Sequence, residues 1–263
     1  MDITEIIRNR RSVRTFDGKM ISEVDKEKIL SYIETIRNPY DIPVEFILLD
    51  AEEKGLSSPV LKGETMYVTA KVAKVPHNEE AFGYSFEQLV LYAWSLGLGT
   101  TWIGGTMDRA KFEKAAELKE GERMSCVSPL GYPAERMSIK EGLMRKGVNA
   151  DVRMPASKLF FEGSFGTPLV ESDETAAKAL EAVRRAPSAV NKQPWRIVKD
   201  GSSYHFYIKH DKGYVSEAVG DMQKIDMGIA LCHFMSVAGG SFKLQDPGIA
   251  VPEGVEYIAT VEL

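Results

Sequence analysis

Cysteine is scarce in this chain, with two residues in 263. Cys126 and Cys232 lie in separate apolar runs (MSCVSPL and ALCHFM), which excludes a disulfide framework and a CxxC redox pair. Histidine is also sparse. His77, His205, His210 and His233 show no HxxxH or His/Cys spacing, so no metal site is expected, and His233, set in an apolar helical run, reads as a core histidine with satisfied ring nitrogens. Basic charge is not in excess: 33 Lys and Arg against 38 Asp and Glu give a net charge of -5, which argues against a nucleic-acid-binding face. The most apolar stretch, residues 89–105, is broken by glycines and too short to span a bilayer, and MDITEIIRNRRS has no apolar secretory core. The expectation is a cytoplasmic protein whose core suffices for one large domain or two small ones.

Against that acidic background, the cluster Arg8, Arg10, Arg11 and Arg14 needs a local explanation. It follows a short helix marked by Ile3, Ile6 and Ile7. Ser22 caps a second helix with Ile29, Leu30, Ile33 and Ile36 on one face, and VEFILL (44–49) reads as a buried strand. Residues 86–96 form an apolar helix ended by Gly97 and Gly99, 100–103 a short extended segment, 108–118 a helix started by Asp108, and 124–130 a strand. Residues 145–154 look like a basic linker. The pattern then resumes with a Ser172-capped helix to Arg185, strands at 195–199 and 204–208, an apolar helix over 226–238 ended by Gly239 and Gly240, and a last strand from 256.

That resumption suggests an internal repeat. SFEQLVLYAWSLGLGT, from Ser85, aligns without a gap on DMGIALCHFMSVAGGS, from Asp226; Ser95 matches Ser236 and Gly99 matches Gly240, both 141 residues apart. Two half-repeats, 1–150 and 151–263, would pack on each other as a single domain.

Three motifs can carry chemistry. Arg10, Arg11, Ser12 and Arg14 gather guanidinium forks and a hydroxyl suited to phosphate oxygens, although a solvated basic helix end reads the same way. APSAVNKQPW (186–195) fixes an extended loop between two prolines and displays Pro187, Ser188, Asn191 and Gln193, which suits the polar edge of a planar heteroaromatic ring or a plain helix-stop turn. GLGTTWIGG (97–105) brings glycines together. They follow a helix rather than opening one, so this is not a Rossmann fingerprint; Gly97 and Gly99 fit helix capping, Gly104 and Gly105 a close backbone approach to a flat ligand.

Taken jointly, RRSVRTF (10–16), PSAVNKQPW, LGLGTTWIG (96–104) and LGYP (130–133) resemble the nitroreductase family of FMN enzymes over most of the chain. The resemblance implies an α+β nitroreductase-like fold, two half-repeats each with a sheet flanked by helices, packed as an intramolecular pseudo-dimer. It implies FMN at the interface and NAD(P)H as electron donor. By that resemblance Arg10, Arg11, Ser12 and Arg14 hold the phosphate and ribityl chain, with Arg145 or Lys146 as a further contact. Pro187, Ser188 and Asn191 pack on and hydrogen-bond the isoalloxazine, and Ile103, Gly104 and Gly105 lie near it with a backbone N–H toward the hydride-accepting nitrogen.

The sequence departs from the family in where the motifs stand. PSxxNxQPW normally follows RRSxRxF by about one helix; here RNPYDIPVEF (37–46) holds that place and the motif appears in the second half. LFFEGSF (159–165) reads as the second half's counterpart of RRSVRTF without its arginines, with Gly163 for Arg14, and Tyr40 stands for Asn191 in the first half. Each half keeps what the other has lost, so one flavin per chain is expected, in a monomer or a dimer. The implied activity is hydride transfer from NAD(P)H through FMN to a nitroaromatic, quinone or similar small acceptor, with no side chain as the catalyst. The alternative is a non-catalytic flavin-binding carrier or sensor, with residues 50–74 as a lid over the site.

Overall fold

The computed structural model describes residues 2–263. The first half runs α1 (Ile3–Asn9), α2 (Glu23–Thr35), β1 (Val44–Asp50), β2 (Met66–Ala73), α3 (Asn78–Ser95), α4 (Arg109–Ala115), β3 (Glu122–Arg123), β4 (Val127–Pro129) and α5 (Ile139–Gly147). The second runs β5 (Phe160–Glu162), α6 (Glu174–Arg185), β6 (Trp195–Asp200), β7 (Ser203–Lys209), β8 (Val215–Ser216), β9 (Gly220–Asp221), α7 (Met222–Ala238), β10 (Ser241–Lys243) and β11 (Val255–Glu262). Helix, two strands and a long helix recur in the same order, as α2–β1–β2–α3 and, interrupted only by the small β8–β9 ribbon, α6–β6–β7–α7. The fold is α+β. Among the described residues no helix is long and apolar enough to cross a membrane.

Each half supplies a sheet. In the first, β2 lies between β1 on one side and β3 and β4 on the other, all antiparallel. Isolated bridges extend it: Ile103 pairs with Val127, Gly99 with Gly131, and Ser12 with Thr100. The second sheet is ordered β10-β11-β7-β6-β5, antiparallel except for the parallel β5–β6 edge.

Helices α3 and α7 pack against each other at the centre. Both are apolar on most sides, the pattern of a helix surrounded by protein. Their closest approach is backbone on backbone. A Cβ built on Gly83 would stand 2.1 Å from the Ile225 carbonyl oxygen, and one on Gly228 would stand 2.0 Å from that of Glu80. The contacts are reciprocal, because Gly228 comes 145 residues after Gly83 and Ile225 comes 145 after Glu80. The spatial repeat therefore differs from the 141-residue sequence register by four residues, about one helical turn, a slip that leaves the same face inward.

Several expectations are corrected. Residues 50–74 do not form a lid, because they contain β2, the buried central strand of the first sheet, in which even Lys71 is covered, with Glu45 at 3.4 Å and Glu122 at 3.6 Å. Residues 145–154 are not a linker: Ser138 caps α5 by accepting from the Glu141 N–H, and the chain beyond α5 closes the site. VEFILL is a sheet edge on which only Leu49 is fully buried. Asp173, not Ser172, caps α6, accepting from the Ala176 N–H at 2.8 Å. LFFEGSF is not placed like RRSVRTF: Phe160 pairs with Ile197 at the β5 edge, whereas Ser12 pairs with Thr100 beyond α3. Gly163 is thus no counterpart of Arg14.

Gly83→Ala and Gly228→Ala each drive a methyl into the facing backbone, which cannot rotate away. Each is expected to destabilise by about 3 kcal/mol, lowering the thermal midpoint by roughly 6–12 °C in a circular-dichroism melt; an unchanged midpoint would refute the close crossing.

Candidate functional site

A cavity of about 430 Å³ opens between the halves, within the range of small-molecule sites. RRSVR, the GG turn at 104–105 and the end of α5 form one side; the PSAVN loop and the start of α7 form the other. Of the eleven expected site residues, Arg10, Arg11, Ser12, Arg14, Gly104, Gly105, Arg145, Pro187, Ser188 and Asn191 all line it. Ile103 does not. Its side chain is buried in a core cluster with Tyr67, Phe112 and Val127, and its N–H and C=O are both bonded to Val127 at 2.9 Å, so its N–H is already committed within the sheet.

One wall is strongly cationic. Arg11 Nη1 donates to Glu141 Oε1 at 3.1 Å, and the Thr15 hydroxyl donates to Glu141 Oε2 at 2.7 Å, so a single buried carboxylate docks α5 onto the arginine segment. Arg14 is held below its usual pKa by burial, with Glu141 acting the other way. Arg145, in the last turn of α5, pairs with Asp151. Arg153, which the linker reading passed over, is a fifth guanidinium on the cavity. Burial and the nearby Arg10 push it down to about 10, leaving it charged at neutral pH and more favourable beside an anion.

Arg10 is the most enclosed of the five, its side chain 5% exposed and its Nε without a hydrogen-bond partner. It stands 4.0 Å from Glu87 of α3, itself fully buried. Glu87 Oε2 accepts from Trp102 Nε1 at 3.1 Å, and Oε1 lies 2.9 Å from His233 Nε2 of α7. His233 Nδ1 lies 2.9 Å from the Ala182 carbonyl oxygen, which can only accept, so Nδ1 carries a hydrogen and a further proton lies between His233 and Glu87. This network joins both central helices to two cavity residues, Arg10 and Trp102. His233 is indeed a core histidine with both nitrogens engaged.

The glycines separate into two kinds. At Gly99 a Cβ would meet the Val13 side chain at 2.8 Å, so that glycine lets RRSVR lie against the sheet. At Gly105 a Cβ would meet nothing within 4 Å, and at Gly104 only Met222 Sδ at 3.7 Å and the Ser125 carbonyl oxygen at 3.8 Å. Protein packing does not require these two to be glycine; the space beside them is the cavity. Arg109, another residue unread from sequence, fixes the turn by donating to the carbonyl oxygens of Gly104 and Met124, both at 2.8 Å.

On the opposite wall the PSAVN loop is strained. Val190, Asn191 and Gln193 have φ of 50°, 58° and 52°, in the left-handed region that disfavours β-branched residues most. The Asn191 amide does not project freely at a ligand, as the family resemblance implied. Its Nδ2 donates to the carbonyls of Asn149 (2.7 Å) and Val152 (2.9 Å), and its Oδ1 accepts from Arg153 at 3.3 Å, so it fastens the segment after α5 across the halves. Ser188 Oγ accepts from the Gln193 N–H at 2.9 Å, and Asp226 of α7, not singled out from sequence, accepts from the Ala189 N–H at 3.1 Å.

The position related to this cavity by the helix repeat is filled. Met222 lines the cavity; His77, 145 residues earlier, instead stacks on Tyr40 with ring centroids 5.4 Å apart, and Phe242 meets Tyr40 edge-on at 4.8 Å. Tyr40 stands in the α2–β1 loop, where the second half has PSAVN. Among the described residues no group of three or more His, Cys, Asp or Glu could hold a metal ion.

An α+β chain whose cationic, glycine-floored cavity lies between two similar halves has the charge and the space that suit a small anionic ligand. The chain belongs to the nitroreductase family described as "Putative TM nitroreductase", whose match covers residues 2–238. A Thermotoga maritima structure named as a nitroreductase of this type shares 22% identity, with a TM-score of 0.64 over 100% of this chain and 94% of its own, and so shows the same fold. A nitroreductase family protein from Clostridium novyi (20% identity, TM-score 0.44) covers 51% of this chain and 87% of its own. An FMN-dependent nitroreductase from Clostridium difficile (18%, TM-score 0.44) covers 54% and 94%. No curated protein matches the chain.

Val190→Asn tests the strained loop. The valine is 58% exposed, so little packing is lost, and asparagine tolerates the left-handed backbone. A gain of about 1 kcal/mol in urea unfolding is expected; a loss would mean that Val190 holds the loop by packing.

Proposed function

We propose that the chain is an FMN-dependent oxidoreductase that passes hydride from NAD(P)H to a nitroaromatic, quinone or similar small acceptor. The observation that supports it most is that RRSVR of the first half and PSAVN of the second converge on one cavity. Its residues fit FMN. Five guanidiniums match a phosphate dianion, one of them with an orphaned Nε, and Gly104 and Gly105 leave open the space a flat ring needs. Arg10, Arg11, Ser12, Arg14, Arg145 and Arg153 would hold the phosphate and ribityl end. Pro187, Trp102, Met222 and Ile225 would enclose the ring.

Bound FMN would supply the chemistry, taking hydride from the nicotinamide and giving it to the acceptor. The protein's part is position and field. Arg10 is held by the Glu87–His233 network, the GG turn by Arg109, and the PSAVN loop by Asp226 and Asn191. The thiol of Cys126, which also lines the cavity, is pushed well up by burial and so is not a nucleophile. The plugged position at Tyr40 favours one flavin per chain and a single polypeptide providing both walls of the site.

Purified protein is expected to carry or take up close to one FMN per chain, with its yellow absorption bleached by NADH or NADPH under anaerobic conditions. Arg14→Ala and Asn191→Ala should each weaken that one flavin about tenfold or more, the first through phosphate contact and the second through the loop, as read by fluorescence titration. Stoichiometric FMN that no nicotinamide reduces would favour a carrier or sensor; two FMN per chain would refute the single-site reading.

A further inference from the structure

Asp226 is a buried carboxyl group that the protein satisfies only in part. It is 3% exposed and lies on the cavity face of α7 with Met222, Ile225 and Ile229, all apolar. A carboxylate offers about four acceptor positions, yet Asp226 has a single hydrogen-bond donor, the Ala189 N–H, shared at 3.1 Å between its two oxygens. Among the described residues it takes part in no ion pair. Of the charges around it, Asp221, which caps the start of α7, is repulsive, the facing Ser188 and Ala189 carry none, and Lys192 beyond them pairs with Asp211 at 3.8 Å. Of the guanidiniums that line the same cavity, Arg11 pairs with Glu141, Arg145 with Asp151, and Arg153 donates to the Arg185 carbonyl, while Arg10 stands 4.0 Å from Glu87 and Arg14 is influenced by Glu141; none of them is among the charges that shift Asp226.

Burial, reinforced by Asp221 and only partly offset by the Ala189 N–H, pushes its carboxyl well above the usual range and so favours the neutral acid. A neutral acid presents one O–H donor beside one acceptor oxygen. The repeat makes the placement specific to the open cavity: 145 residues before Asp226 is Ala81, next to the position that Tyr40 and His77 fill. The acid buried at the filled position, Glu80, stands 3.7 Å from His77, within the plug itself, whereas Asp226 faces the open cavity.

Building on the FMN reading above, we infer that Asp226 recognises the pyrimidine edge of the flavin, its O–H donating to a ring carbonyl and its other oxygen accepting from the imide N3–H. Those two groups are adjacent on the ring with complementary polarity, and the pairing engages the capacity that the Ala189 N–H leaves unused. The arginines at the opposite wall draw the phosphate, which sends the ring toward α7. The Asn191 amide, already committed to residues 149–153, is thereby released from the task of reading the ring.

The test compares FMN with FMN methylated at N3, binding each to the wild-type protein by quenching of flavin fluorescence. The methyl group removes the one donor Asp226 reads, so wild type should bind the analogue at least about tenfold more weakly. Asp226→Ala should bind both flavins alike, at the weaker level. Asp226→Asn keeps one donor and one acceptor and should restore the preference for FMN. Wild-type affinity should fall as pH rises through the raised carboxyl value, since ionisation removes the O–H, while Asp226→Asn should show no such fall. Equal binding of both flavins by wild type overturns the inference and leaves the FMN site standing, without recourse to any variant. Failure to bind FMN at all overturns the underlying reading and this one with it.

Discussion

The distance between α3 and α7 governs the rest of the molecule. Side chains normally hold helices 8–10 Å apart; here two glycines remove that spacer at two reciprocal points, and carbonyl oxygens occupy the space of the missing methyl groups. The contact has little tolerance, because neither partner is a side chain able to turn aside. From it follows the distance between the sheets, and from that the width of the cavity, whose walls belong to opposite halves. A crossing slipped by one turn would keep the apolar faces together but would carry Glu87 away from His233 and Asp226 away from the Ala189 N–H.

Beside this crossing the protein buries charge that it does not need for stability. Removing Glu87, His233 and Arg10 from water is costly, and their mutual attraction returns that cost only with good geometry. Glu87 receives a Trp102 hydrogen bond and a close histidine, yet Arg10 stays 4.0 Å away with its Nε unpaired. The arrangement is better suited to presenting a guanidinium to the cavity than to neutralising it. The strained PSAVN loop has the same character. Its left-handed residues are retained because Asp226 on one side and residues 149–153 on the other hold them there.

The sequence revealed the site more readily than the path of the chain around it. RRSVRTF and PSAVNKQPW are dense and unusual, and nine of the residues expected from them and from the glycine turn face one cavity. Arg153 went unseen because it sits in a charged run resembling a linker, and Asp226 because one acid at the start of an apolar helix looks like a solvated end. Strand β2 was missed since MYVTAKVA follows a glycine- and charge-rich stretch, and its buried Lys71 is matched by acids on two other strands that no local pattern reveals. The helix repeat was legible, but its register was not: a slip of one turn preserves every apolar position, and only the backbone contact at Gly83 and Gly228 decides between them.

The plug formed by Tyr40, His77 and Phe242 has a consequence for how such a chain can change. In a symmetric pair built from two copies, every substitution appears twice, and a residue good for one role must be tolerated in its mirror position. Here the two positions are encoded separately, so aromatic rings can fill one without closing the other. Because both walls belong to one chain, assembly of the cavity is unimolecular and independent of cellular abundance. The cavity walls thus cannot be diluted apart, and each half is free to accumulate changes that a symmetric pair of identical copies would have to accept on both sides.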